Sequence, residues 1–493
     1  MKILFQTMLL MAAAIASADQ WRPETRMIYG RYTDAPLQVA AVTFSDWYAF
    51  KDGVFGAPGV RAIINEAAAA GIDVIMWRSH GGGVALYPTQ VDQSTIRNHA
   101  SGAADYGKFD SFAEARDFTR RLGQRLYIWI TPLEEAHAQL QNSRGRYTEL
   151  HPELREYDVR TAAPVPVPSF YFPAYRRYKS EIFRELVRNY DPEAVIIDFE
   201  RRGSPPRSAT QGYLPEALLA FNRQNRLPTE NRPRPDDLAW QKFRAEWVGE
   251  YLREARRAAG GKTEIIGFVH YNGELTSFCD ARGWLADGTL DSAAVYKSQP
   301  GRWGHAALYS PEDRQRFPGG KARYAAIYLY AADRKIESTA AASAVAAGFT
   351  GLIWMESANL NGGGYALPRS IACPDRLELV SPEYDLSRGG TLRILSAGDW
   401  ILTAGSFRIA GRAGGIATVK LPPEKITAPL RFAVTLKPDS TAAGLAVEGE
   451  IGGQAVSSIP SEWNVSASRK VVPIATGMPG VPPFLDLSTG DNK

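Results

Sequence analysis

Tyr190-Asp191-Pro192-Glu193-Ala194-Val195-Ile196-Ile197-Asp198-Phe199-Glu200 is the stretch on which the fold turns. Up to its first residue, Tyr178, Ile182, Leu186 and Tyr190 recur at steps of four, forming one apolar stripe of a helix with Arg and Lys on its other side. Then Ala194 to Ile197 run without a polar residue, as a strand covered on both faces should. Side chains alternate along a strand, so Asp198 and Glu200 share one face while Ile197 and Phe199 take the other.

The same pattern repeats outward in both directions. Short β-branched or aromatic runs occupy residues 39–44, 73–80, 125–131, 194–200, 264–271, 292–296, 323–330 and 351–356. Helical patterns lie between them, including a stripe of Trp240, Phe243, Trp247 and Tyr251 and an Ala-rich segment over 338–347 that runs into Gly348. Strand followed by helix, eight times over, predicts an α/β fold of the (β/α)8 TIM-barrel type. The competing open doubly wound sheet lacks the Gly-rich phosphate turn after its first strand. The longest irregular segments, 81–110, 132–172 and 201–212, follow strands two, three and four, where barrel loops build the active face. The Pro/Arg/Asn-rich stretch 227–236 reads as a surface excursion within a helical region.

Past Pro374 the texture changes to short runs at 392–395, 400–402, 407–409, 417–419 and 432–434, punctuated by Gly and Pro, which predicts a small C-terminal all-β sandwich domain. The domain expectation is therefore 1–18 a signal peptide, 19–374 the barrel, and 375–493 the sandwich and a tail. Few aromatics of that last domain cluster, so bracing the barrel is favoured over a ligand site of its own. The signal is read from Lys2, an apolar stretch from Ile3 to Ile15, and Ala16-Ser17-Ala18 as a small-residue cleavage site. That stretch is shorter than the ~20 residues that span a bilayer. No later run is long enough, so the expectation is an exported protein, periplasmic or secreted, with no integral membrane segment after cleavage.

Lys and Arg total 57 against 53 Asp and Glu, a formal charge of +4 on 493 residues, too balanced to point to nucleic acid. Two cysteines, Cys279 and Cys373, exclude a disulfide scaffold and a Cys-rich zinc site. One bridge between them and two separate buried thiols are both compatible with the spacing.

The candidate chemistry sits at strand ends. Asp198 and Glu200 fall where barrel enzymes keep catalytic groups, with Arg201, Arg202 and Arg207 at hand as partners should the acids only seat the loop. Strand eight ends Trp354-Met355-Glu356, where parity predicts an aromatic platform beside a carboxylate. Sugar rings present an apolar face and a hydroxyl edge, and aromatic walls interleaved with carboxylates match them. Trp77, Trp129, Tyr296, Tyr328, Tyr330 and Trp354 all lie in strand ends, where interior or helix-facing packing is the alternative for each. Arg78 and His80 close strand two, either as hydroxyl-binding or carboxylate-tuning groups or as a salt-bridged Arg and a packed His, and His270-Tyr271 close strand five as substrate-binding candidates. Glu134-Glu135 after strand three extend toward the mouth or stay solvated in their loop. No local ligand pair supports a metal at His80, His270 and the acids, and no G-x-S-x-G elbow, P-loop or dinucleotide fingerprint occurs, so no cofactor is implied. Paired carboxylates remain, and two of them flanking a glycosidic oxygen can cleave it with retention or inversion.

At these residues the chain resembles the family-ten-like glycosyl hydrolases, bacterial envelope or secreted barrel proteins. Gly71-Ile72-Asp73-Val74-Ile75 with Ala85-Leu86-Tyr87-Pro88-Thr89 is similar to that family's second strand and its Ala-Leu-Tyr-Pro loop. Leu126-Tyr127-Ile128-Trp129 with Thr131-Pro132 resembles its third strand, and Pro173, Arg176, Tyr178, Glu181-Ile182, Tyr190-Asp191 and Ile197-Asp198-Phe199 resemble its next helix and fourth strand. Residues 286–296 resemble the approach to its sixth. The similarity covers about residues 37 to 370 and implies Asp198 as the catalytic acid. Arg78-Ser79-His80, Val84 and Glu200-Arg201-Arg202 depart from the family pattern around the pocket, implying a shifted substrate or a lost activity. Two expectations follow: a glycoside hydrolase that cleaves O-glycosidic bonds of a polysaccharide or glycan strand through Asp198, Glu200 and Glu356, or a non-catalytic carbohydrate-binding or envelope-scaffold protein on the same barrel.

Overall fold

The computed structural model describes residues 25–32, 36–42, 56–69, 72–81, 83–91, 108–137, 143–144, 146–199, 209–272, 275, 278–299, 302–329, 334–355, 377–380, 386–396, 399–404, 407–412, 416–423, 432–436 and 445–458. The chain divides into two compact units, one containing a closed barrel and the other a separate sheet.

The barrel strands are β1 (Leu37–Val42), β2 (Val74–Arg78), β3 (Arg125–Ile130), β4 (Ala194–Asp198), β5 (Glu264–His270), β6 (Ser292–Tyr296), β7 (Ala322–Tyr328) and β8 (Gly351–Met355). Each pairs in parallel with its neighbours, and β8 closes on β1 with Leu352 opposite Gln38 and Trp354 opposite Ala40. The pairing of the last strand with the first excludes the open sheet.

Alternation sorts each strand into two faces. Val39 and Ala41, Val74 and Met76, Ala194 and Ile196, and Ile266 and Phe268 join one core cluster inside the barrel, while Val195, Ile197 and Val269 lie on the opposite face of their strands. Alanines at 41, 194, 294 and 326 interleave there with Tyr127, Trp129, Tyr296 and Tyr324, so small residues make room for large ones. Gly351 takes this to its limit, because a Cβ there would stand 2.4 Å from the Tyr324 ring.

The helices explain the outward face. They include α1 (Ala57–Ala69), α2 (Ser111–Arg121), α3 (Pro173–Tyr190), α4 (Pro215–Asn225), α5 (Leu238–Ala259), α6 (Ala281–Ala286), α7 (Pro311–Gln315) and α8 (Arg334–Ala346). The stripe Tyr178, Ile182, Leu186 and Tyr190 is buried on α3. That helix is joined to α5 by Arg176 with Glu250 at 2.6 Å and by Ser180 Oγ donating to Glu254 at 2.6 Å. Trp240, Trp247 and Tyr251 are buried on α5, which Asp237 caps by accepting from the Ala239 and Trp240 amides. Residues 227–236 join α4 to α5, as the sequence predicts.

In the second unit, nine strands among the described residues form one sheet system, antiparallel except at one pair. The expected runs appear as Gly390–Ser396, Trp400–Ala404, Phe407–Gly411, Ile416–Leu421 and Phe432–Leu436. Leu392, Ile394, Trp400, Leu402, Val434 and Val447 share a core, giving a small all-β domain. Thr25–Tyr32, upstream of the barrel in the chain, is a member of this sheet: it pairs antiparallel with Leu377–Val380 and parallel with Gln454–Ser458. Cys279 is buried, Cys373 lies outside the described residues, and so do the segment 1–18, expected as a signal peptide, and the Pro-rich tail. Among the described residues no helix is long and apolar enough to cross a membrane.

Candidate active site at the C-terminal end of the barrel

Ala194 and Ile196 face the barrel interior, and two-residue alternation carries Asp198 to the same side at the last position of β4. The indole Nε1 of Trp129, on β3, donates to Asp198 Oδ2 at 3.0 Å. Both side chains are fully buried at 0% exposure. The guanidinium of Arg78, at the end of β2, lies 5.1 Å from the Trp129 ring centroid. Arg78 Nη2 is ion-paired with Glu134 Oε2, and its Nε donates to the His80 carbonyl at 2.7 Å. Three consecutive strands and the loop after β3 thus contribute a contiguous series, Glu134 to Arg78 to Trp129 to Asp198. In low-dielectric surroundings a buried cation requires such a partner, and the indole N–H satisfies one acceptor of the buried carboxylate.

The backbone sets this up locally. Ser79 donates to the Trp129 carbonyl from its amide at 2.8 Å and from its hydroxyl at 3.0 Å, locking β2 to β3 where the aromatic side chain departs. His80 then starts a short hairpin, pairing with Ala85 across a turn that includes Gly83 at φ 77°. His80 is buried, with Nδ1 3.0 Å from Ser79 Oγ and its ring edge-on to Tyr87 at 5.6 Å.

Glu134 and Glu135 both depart from the solvated reading. Glu134 carries the Arg78 pair, whereas Glu135 is ion-paired with Lys179 of α3 and accepts from Tyr175 Oη at 2.6 Å and Thr148 Oγ1 at 3.0 Å. Two anchors have no counterpart in the sequence reading. Glu185 of α3 accepts from Tyr87 Oη at 3.0 Å, Thr89 Oγ1 at 2.6 Å and the Gln90 amide at 2.7 Å, fixing the loop after β2. Arg244 of α5, whose burial pushes its guanidinium down to about 10, donates to the carbonyls of Ala209 at 3.0 Å and Gln211 at 2.5 Å. It stays charged at neutral pH and holds the return of the loop after β4. Helical stripes give no hint of either, because each is a polar residue set in a mostly apolar buried face whose partners lie in distant loops.

On the next three strands, at the same end of the barrel, stand His270, Tyr296 and Tyr328. Asp198 is opposite Phe268 in the β4–β5 register, which puts His270 one interior step further toward the mouth. The His270 ring centroid is 5.6 Å from Tyr296, and Tyr296 is 4.9 Å from Tyr328. Tyr296 and Tyr328 are buried, whereas His270 and Tyr271 are half-buried. The structure therefore groups Arg78, Trp129 and Asp198 on β2 to β4, and His270, Tyr271, Tyr296 and Tyr328 on and just after the neighbouring β5 to β7.

Trp354 is a correction. Ile353 and Met355 belong to the interior cluster, so Trp354 faces the other way, and its Nε1 donates to Gln38 Oε1 at 2.8 Å. It is a helix-side core residue, not a platform for a ligand. Trp77 follows the same rule, with Val74 and Met76 inside and its own Nε1 3.5 Å from Ser111 Oγ on α2. Trp354→Phe is accordingly expected to lower stability by about 1–3 kcal/mol, because the smaller ring leaves a void and the buried Gln38 carbonyl loses its donor, and to leave glycan affinity unchanged; urea unfolding and calorimetric titration check the two halves. Glu200, Glu356 and Tyr330 lie outside the described residues.

No protein-family model matches the chain, and no curated protein matches it. The family-ten-like resemblance thus rests on the sequence motifs alone. Among solved structures the chain is similar to the glycoside hydrolase domain of PgaB (BpsB) from Bordetella bronchiseptica, with 12% identity and a TM-score of 0.46 over 68% of this chain and 98% of that one. It is similar to a β-galactosidase from the psychrophilic Marinomonas ef1, with 10% identity and a TM-score of 0.43 over 65% of this chain and 54% of that one. It is also similar to α-L-fucosidase isoenzyme 2 from Paenibacillus thiaminolyticus, with 14% identity and a TM-score of 0.39 over 69% and 49%. The chain spans about half the length of the last two. These neighbours are glycoside hydrolases.

Proposed function

We propose that this protein is an exported glycoside hydrolase that cleaves O-glycosidic bonds within a polysaccharide or glycan strand. The observation that carries this reading is Asp198 at the C-terminal end of β4, on the interior face and oriented by the Trp129 indole. A carboxylate held in one rotamer by a fixed N–H is prepared to attack an anomeric carbon or to move a proton at the glycosidic oxygen. Glu200 is the candidate for the second carboxylate, since it repeats the sequence parity of Asp198, whereas Glu356 repeats that of the helix-side Trp354. His270 and Tyr271, half-buried at the mouth, supply groups for sugar hydroxyls, with Tyr296 behind them.

A second reading is favoured by one specific observation, the complete burial of Asp198. On that reading the carboxylate is a structural acceptor for Trp129, and the barrel binds a glycan without cutting it. Incubating the purified protein with a panel of polysaccharides and resolving the products by mass spectrometry separates the two. Shorter oligosaccharides with new reducing ends support hydrolysis. Retention of a glycan with no product over days supports the binding protein.

A further inference from the structure

Tyr271 follows β5 directly, and its amide donates to the Tyr296 carbonyl at 2.9 Å, extending the β5–β6 ladder to the rim of the mouth. Its half-buried ring is flanked by two cations. Lys297 Nζ, immediately after β6, lies 5.1 Å from the ring centroid, and Arg316 Cζ, just after α7, lies 5.5 Å from it. The His270 ring is 4.6 Å away. Lys297 donates to Asp313 Oδ2 at 2.6 Å, and Asp313 is buried and also accepts from the Ser310 amide at 2.9 Å. That acid therefore fixes the ammonium and offsets its charge. Arg316 is exposed and makes no ion pair with any described residue, so a guanidinium without a carboxylate partner among the described residues stands beside the aromatic ring, with Glu312 one helical turn before it.

A tyrosine whose ring holds two cations is poorly placed to stack on a neutral sugar, because the electron-rich face that a sugar C–H would meet is already engaged. The same group is well suited to an anion. The guanidinium offers a planar fork that matches carboxylate and sulfate oxygens, and Lys297 and the Tyr271 hydroxyl add further donors. We infer that the rim between β5 and β6 recognises a negatively charged sugar unit, a uronate carboxylate or a sulfate ester, through Arg316, Lys297 and Tyr271. This inference rests on the carbohydrate reading above and names the class of glycan it takes.

The test is a glycan array bearing neutral, N-acetylated, uronate-containing and sulfated oligosaccharides, probed with the full chain and with Arg316→Met, followed by titration of the strongest hit and its carboxyl-reduced or desulfated form. The expected result is that hits concentrate among acidic glycans, weaken with added salt, and lose about tenfold in affinity in Arg316→Met, with part of the loss recovered in Arg316→Lys. Uronate hits and sulfate hits distinguish the two sources of charge. Binding confined to neutral glycans and indifferent to Arg316→Met would overturn the inference while leaving the carbohydrate reading in place. Failure to bind any glycan would remove both.

Discussion

Asp198→Asn is expected to reduce glycan hydrolysis by at least about a thousandfold while the barrel remains folded. The substitution is close to isosteric, and the amide oxygen can still accept from the Trp129 indole, whose bond to Asp198 Oδ2 measures 3.0 Å. What is lost is the negative charge and the ability to bond covalently or exchange a proton. Steady-state kinetics on the substrate found by product analysis, with near-ultraviolet circular dichroism as the folding control, reads both halves. Full turnover by the variant would remove Asp198 from the chemistry and leave it as an acceptor for the indole.

The second large effect concerns stability. Arg78 and Glu134 each have 2% of their side-chain surface exposed, and they form an ion pair across a span of chain that includes the whole of β3. Arg78→Met leaves Glu134 buried without its counter-charge, and the expected cost is about 3–5 kcal/mol. The double variant Arg78→Met/Glu134→Gln removes both charges and should recover much of that loss, because an uncompensated buried carboxylate is worse than no ion pair. Urea unfolding followed by tryptophan fluorescence measures it, with the barrel transition separated from that of the second unit. A single-variant loss below about 1 kcal/mol would mean that water reaches the pair. The same variants report on the site, since removing the guanidinium from the Trp129 face changes what orients the indole.

Much of the barrel was legible because its strands are nearly uninterrupted apolar runs separated by helices with one apolar face. The positions of β4, β6 and β8 agree with the sequence reading to within two residues at each end. The phase of β4 was legible too: the first polar residue after the apolar run, Asp198, is also the one on the interior parity. In β8 the phase was not legible. Leu352, Ile353, Trp354 and Met355 are all apolar, so nothing local distinguishes the interior face from the helix face, and Trp354 turned outward to Gln38. Glu134 and Glu135 were hidden for another reason. Adjacent acids in a loop resemble a solvated pair, and the cations that bury them, Arg78 and Lys179, come from distant strands and helices. The placement of Thr25–Tyr32 in the second sheet likewise depends on partners at the far end of the chain.

The most direct test is a crystal structure of Asp198→Asn grown with the glycan that the wild-type protein degrades or retains. The account predicts a sugar bound at the C-terminal end of the barrel, its scissile linkage within hydrogen-bond or near-attack distance, about 3–3.5 Å, of the side chain at position 198, with neighbouring units against His270 and Tyr271. A glycan seated only on the all-β unit, with the barrel end closed over Trp129, would contradict it.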